Sequence, residues 1–235
     1  MVKVQVKTDK LTNEEIKEYF RVLDGLKNEM YDCLVNVLYV TGMRIGEAHA
    51  MKLRDIDWKT LEVHIPVTKK DATRDVMIDN RTADQLRSYI QHNETGIRRR
   101  EREFDRRVAL EKKRLDATMK EEYRDGKVFR TKAMVIRREL RAYIRKQKSP
   151  LWGVSYRQLD RIIHQIGEMA DIKKSVHPHS WRYNFANMLH NNDGDIVEIQ
   201  GLMGHIDIGT TRHYLVQNKR RERELHNRVF KGKYD

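Results

Sequence analysis

The sequence predicts a mainly α-helical fold carrying one small antiparallel β-hairpin. Three observations lead there. The 235 residues include only three prolines; apolar residues recur at helical spacing through most of the chain; and one stretch alternates strictly, with Leu61, Val63, Ile65 and Val67 on one face, resuming at Val76 and Ile78 after a polar break over residues 68–75. Taken in order, Thr12-Asn-Glu-Glu15 is a capping box that starts a first helix, with Ile16, Phe20 and Leu23 on one side. A second, more apolar helix is expected over about 26–40, with Met30, Cys33, Leu34, Val37 and Leu38 inward and Gly42 as its stop. A third is expected over about 45–53. The alternating stretch then gives the hairpin with a basic tip, and Asn80 can cap a helix through about residue 89.

Residues of about 95–149 change character. They are dense in arginine and glutamate, and Gly126 divides them into two helical halves, striped by Phe104, Val108, Leu115 and Met119 on one side and by Ile136, Leu140, Tyr143 and Ile144 on the other. A charged helical hairpin is expected, either a solvated pair of helices or an arm for DNA or a partner. After Pro150, Ser155-Tyr-Arg-Gln158 is a second capping box, with Leu159, Ile162, Ile163, Ile166 and Met169 beneath it. No internal repeat or low-complexity linker interrupts the pattern. The expected organisation is an extension at 1–11 and one domain at 12–235, with the charged insertion at about 95–149 and a tail at about 217–235.

Composition bounds the partners. A formal charge of +13 suits a polyanion, because each phosphate neutralised by Lys or Arg releases condensed counterions, although 35% charged residues of both signs also describe ordinary helix surface. The single cysteine, Cys33, excludes an internal disulfide and a cysteine-rich zinc site, and its apolar neighbours place it in the core. No apolar run approaches the roughly 20 residues that span a bilayer, and the N-terminus shows no signal-peptide pattern, so a cytoplasmic, nucleoid-associated location is expected, with no membrane partner.

The chemistry-bearing residues form an ordered set: Thr41-Gly-Met-Arg44-Ile-Gly-Glu47, then His179-Ser-Trp-Arg182, Leu202-Met-Gly-His205 and Thr211-Arg-His-Tyr214. Two arginines can grip the two free oxygens of a phosphodiester, since a guanidinium keeps its charge and offers a fork of donors. Histidines can donate to that group or shuttle protons, and a tyrosine can attack phosphorus. Arg44 falls between a glycine turn and a helix start, with Glu47 one turn on to orient it, and a helix beginning near His179 would put His179 and Arg182 on one face. Tyr143, Tyr156 and Tyr183 lack such a context. His177, His179, His205 and His213 could suggest a metal, yet no HExxH or carboxylate pattern accompanies them, so no metal is expected.

The set resembles the tyrosine recombinase (phage integrase) family, whose catalytic domain shows T-G-x-R-x-x-E, H-x-x-R, L-x-G-H and T-x-x-Y in that order. The resemblance runs from Thr12 to about Val216, apart from the 95–149 segment. It implies a DNA breaking-rejoining catalytic domain in which Arg44, His179, Arg182 and His205 surround the scissile phosphate and Tyr214 is the nucleophile, forming a 3′-phosphotyrosyl link without metal or other cofactor. It also implies a lysine on the hairpin turn that protonates the leaving 5′-oxygen; Lys69 matches best and Lys70 is the alternative. The implied partners are double-stranded DNA and further copies of the chain, four on paired sites. Most of the family carry a separate N-terminal DNA clamp, and only about eleven residues precede the first helix here. Arg98, Arg99, Arg100, Arg102, Arg106 and Arg107 of the insertion are the expected substitute grip on DNA. The competing readings are DNA relaxation of the type IB topoisomerase kind and a non-catalytic DNA-binding accessory protein.

Overall fold

The computed structural model describes residues 10–66, 73–119, 122–124, 127–192 and 194–204, with the backbone alone at 122–124 and 127–130. Eight helices and two small antiparallel sheets lie among them. Helix α1 (Asn13–Gly25) begins at the Thr12 capping box, where Thr12 Oγ1 accepts from the Glu15 amide at 3.2 Å and Glu15 returns the bond. Helix α2 (Glu29–Thr41) starts three residues later than the apolar pattern suggests. Lys27 is held at φ +49° and the Asn28 side chain caps the Tyr31 amide, so the chain turns before the helix can begin. Gly42, at φ +59°, ends it as a left-handed cap.

Helix α3 (Ile45–Ala50) is shorter than expected, because Met51 turns extended and a 3₁₀ turn over Leu53–Asp55 follows. Strands β1 (Ile56–Asp57), β2 (Glu62–Ile65) and β3 (Arg74–Met77) form one sheet in sequence order, so the expected hairpin gains a third, short strand. Its register pairs Val63 with Val76 and Ile65 with Arg74. The hairpin tip at 67–72, including Val67, Lys69 and Lys70, lies outside the described residues.

The largest departure concerns the insertion. The expected helix through about residue 89 and the expected first half of the hairpin are one element, α4 (Asn80–Thr118), of 39 residues and about 58 Å. It is capped by Asp79, not Asn80. Residues 90–96 carry no breaker stronger than Gly96, and the core stripe continues through them: Ile97 is buried with Leu86 and Tyr89 in the main core, and Phe104 and Leu115 are buried farther out. A turn of sheet follows, β4 (Glu122–Arg124) pairing with β5 (Lys127–Arg130), and α5 (Lys132–Lys146) returns antiparallel along the outer half of α4. The helical hairpin is therefore present, but its boundary is not a break in the chain: one helix belongs half to the core and half to the arm. Gly126 lies outside the described residues.

Helix α6 (Tyr156–Met169) begins at the Ser155 capping box and buries Leu159, Ile162, Ile163 and Ile166 as its spacing requires; Met169, beyond the last buried turn, is exposed instead. Helix α7 (Pro178–Asn191) packs on α2. Its Trp181, fully buried, meets the rings of Tyr19, Phe20 and Tyr39 edge-on or tilted. Helix α8 (Ile196–Met203) lies against β3 and α7. Cys33 is buried as expected, and desolvation pushes its thiol up to about 12. Among the described residues no helix is long and apolar enough to cross a membrane. The tail at 217–235 is outside them.

Candidate active site

Three chain segments converge where α2 ends, β3 begins and α8 stops. Arg44 is the residue before α3, in extended backbone, directly after the turn that Gly42 makes possible. Its side chain keeps 31% of its exposure, so the guanidinium faces out of the fold. Glu47, three residues on, is nearly closed to solvent and accepts the Arg44 amide at 2.7 Å and Arg44 Nη1 at 3.3 Å. Glu47 thus orients Arg44 from below, as the spacing suggests.

A second arginine, which the sequence pattern leaves in the polar break, shares that carboxylate. Arg74 opens β3 with its side chain inward, and its Nη1 and Nη2 donate to Glu47 Oε1 and Oε2 at 3.1 and 2.7 Å, with both side chains below a tenth exposed. Arg74 Nε donates to the Leu202 carbonyl at 3.1 Å, on the last turn of α8. The signal was available: Arg74, Val76 and Ile78 share one face of a strand. Burial alone would raise the Glu47 pKa, but the two Arg74 bonds, Arg74 charge and the Arg44 contacts outweigh it and hold the carboxyl below its ordinary value.

Arg182 sits on α7 one turn after His179, and is 1% exposed. Its Nη1 and Nη2 donate to the carbonyls of Gly42 and Met203, both at 2.5 Å, so this one side chain ties the turn before Arg44 to the turn before His205. His179 lies in the first turn of α7 on the exposed side, its ring 6.2 Å from that of His177, the N-cap residue. Gly42 and Gly204 are needed at their positions. Both have left-handed φ, a Cβ on Gly42 would enter the Phe185 ring, and one on Gly204 would lie 2.7 Å from Arg74 Nη1.

From beneath, Trp152 Nε1 donates to the Ala48 carbonyl at 2.8 Å and the buried His49 ring contacts the Gln147 carbonyl at 3.0 Å, fixing α3 to the segment after α5. The structure therefore brings Arg44, Glu47 and Arg182 together around the Gly42 turn, with His179 on the same helix as Arg182. His205, Tyr214, Lys69 and Lys70 lie outside the described residues; the described chain ends at Gly204, one residue before His205, and flanks Lys69 at Pro66 and Thr73. A small apolar cleft separates α3 from β2, between Met43, Met51, Val63 and Ile65.

Of the six insertion arginines, three hold partners within the fold. Arg100 donates to the Pro150 and Leu151 carbonyls at 3.1 Å, Arg98 pairs with Glu94, and Arg107 bonds Glu103 and Gln147. The interleaved acids are also occupied: Asp105 binds Lys52 and Arg54, and Glu101 accepts the Leu53 amide.

The profile of the phage integrase family matches residues 9–221. Among similar proteins, tyrosine recombinase XerC of Halalkalibacterium halodurans is 26% identical over 92% of this chain and 60% of its own length, and tyrosine recombinase XerD of Staphylococcus aureus is 25% identical over 83% of this chain and 52% of its own. The chain thus spans about half to three-fifths of the relatives it matches. Among solved structures, the XerA recombinase superposes with a TM-score of 0.60 at 22% identity, covering 94% of this chain and 62% of that one. The Tn1549 transposon integrase in complex with transposon right end DNA gives 0.63 at 14%, covering 98% and 69%. The fold is that of tyrosine recombinase catalytic domains. With the family's profile spanning nearly the whole chain and its arginines gathered at one turn, this chain belongs to the phage integrase family.

Proposed function

We propose that the chain is the catalytic part of a site-specific recombinase or integrase that cuts and rejoins DNA through a covalent tyrosyl intermediate. The observation that carries this reading is the Arg182 side chain bonded to the Gly42 carbonyl, which sets Arg182 and Arg44, far apart in sequence, at one turn. In the reaction, the Tyr214 phenol oxygen attacks phosphorus in line, forming the 3′-phosphotyrosyl bond as the bond to the 5′-oxygen breaks. His179 takes the phenol proton, and Lys69, or Lys70 beside it, supplies one to the departing oxygen. Arg44 and His205 face the charge that builds on the non-bridging oxygens, where fixed donors stabilise the transition state more than the ground state, and Arg182, whose terminal nitrogens also hold the Gly42 and Met203 carbonyls, is the third cation of the set. A 5′-hydroxyl from another strand then attacks the phosphotyrosyl group and releases Tyr214. No nucleotide or metal enters, because the tyrosyl ester conserves the bond energy. Four copies acting on two duplexes would complete an exchange.

The test is incubation with a nicked suicide substrate carrying the element's own termini. An SDS-stable protein–DNA adduct supports cleavage by this chain, and its absence under conditions where DNA is bound favours an accessory binder. Junctions from paired sites, without relaxation of supercoiled DNA, separate recombinase from topoisomerase action.

A further inference from the structure

Helix α5 carries arginines that the sequence pattern did not single out. Arg137, Arg141 and Arg145 recur at i, i+4 and i+8, so they stack along one face over about 12 Å. Their surroundings differ from those of the glutamate-paired arginines of α4. On α4, Arg98, Arg107 and Arg114 each meet a glutamate one turn away; on α5 the one glutamate, Glu139, pairs with Arg138 off this face. Among the described residues the three stacked guanidiniums meet no carboxylate. Burial, and then the charges of Arg145 and Arg137, make Arg141 easier to deprotonate than an ordinary arginine. Like charges at this spacing destabilise a helix by a few tenths of a kcal/mol per pair. A stripe of them is more easily accommodated when a polyanion lies on it.

The stripe is also continuous with the site. The Arg145 guanidinium sits 5.0 Å from the centre of the Tyr156 ring, and that ring lies 3.8 Å from the position a Cβ would take on Gly46, two residues after Arg44. The Arg44 turn, Gly46, Tyr156, Arg145, Arg141 and Arg137 thus form one path from the site out along the arm. We propose that Arg137, Arg141 and Arg145 form a phosphate track that holds the duplex flanking the scissile position, so that α5, whose stripe leads back to the Arg44 turn, and not the glutamate-paired arginines of α4, is the arm's grip on DNA. The inference rests on the proposed DNA strand-transfer reading.

It is tested in the full chain by replacing Arg137, Arg141 and Arg145 together with Gln, and separately the glutamate-paired Arg98, Arg107 and Arg114 of α4, with thermal unfolding confirming that each variant folds. Binding to a duplex containing the target site is measured against salt. Three lost phosphate contacts should lower the log–log slope by between two and three units at about 0.9 per contact, and the α4 triple should lower it by less than one. A drop below one unit for the α5 triple overturns the proposal, and so does an unchanged slope with loss of self-association, which would mark the stripe as a protein contact. The covalent adduct is read in parallel with the parent chain. An adduct with no slope change sinks the track alone, whereas a slope change without any adduct sinks the strand-transfer reading and leaves the track standing.

Discussion

The Glu47 carboxylate accepts both terminal nitrogens of Arg74 while it also holds the Arg44 amide and guanidinium. One buried acid therefore joins the strand that follows the lysine-bearing tip to the turn that presents Arg44, and Arg74 carries the link on to the end of α8. Removing one member of such a pair leaves the other charge buried without compensation, which costs about 3–5 kcal/mol. Glu47→Gln and Arg74→Leu should each lower the thermal midpoint by roughly 6 °C or more, at about 2–4 °C per kcal/mol for a chain of this size. The double variant should recover part of the loss. Additive losses in calorimetry would show that the two side chains do not act as a unit.

Arg44 and Arg182 should separate in a way their shared proposed role does not suggest. Arg44 is part-exposed, whereas Arg182 holds two backbone carbonyls inside the fold. Both Ala variants should cleave at least about a hundredfold more slowly, the scale for losing a preorganised donor. Only Arg182→Ala should also unfold at a clearly lower temperature. Equal midpoints for the two would mean that the Gly42 and Met203 bonds contribute little.

His49 gives a pH signature. Burial, opposed by the Gln147 carbonyl and assisted by the Arg145 charge, holds its pKa below the ordinary 6.5, and its Nδ1 has no partner among the described residues. The folded state therefore prefers the neutral ring. Its contribution to stability is full above the unfolded pKa and is lost as pH falls through that value toward the folded one. Unfolding free energy should decline as pH falls through and below the ordinary 6.5, and His49→Gln should flatten that decline. Parallel curves for parent and variant would assign the acid sensitivity to other groups.

The leaving-group lysine can be identified by chemistry. Lys69→Ala should slow cleavage of an ordinary substrate and recover most of the rate when the bridging 5′-oxygen is replaced by sulfur, because a thiolate departs without a proton. Recovery confined to Lys70→Ala would move the role one residue along.

Much of the fold was legible because its signals are local. The Thr12 and Ser155 boxes, the Gly42 stop, the α2 stripe and the β2–β3 alternation each rest on residues within a turn or a strand of one another. The Arg44–Glu47 relation was legible for the same reason, being one helical turn. What escaped depends on distant partners. Arg74 reads as part of a polar loop until Glu47 and Leu202 are seen beside it, and the unity of α4 depends on a core that receives Ile97 and on carbonyls that receive Arg100. The α4 arginines looked like the arm's basic feature because they are the densest in sequence, yet acids three or four residues away and distant backbone groups take several of them. Among the described residues the sparser α5 stripe of Arg137, Arg141 and Arg145 meets no carboxylate.

The most direct test of the account is the identity of the residue that carries DNA after the suicide-substrate reaction. The adduct is digested with protease and nuclease, and the nucleotide-bearing peptide is sequenced by mass spectrometry. The account predicts a phosphotyrosyl link at Tyr214, lost in Tyr214→Phe while DNA binding persists. A link at Tyr183, at any serine, or an adduct that survives in Tyr214→Phe would contradict it.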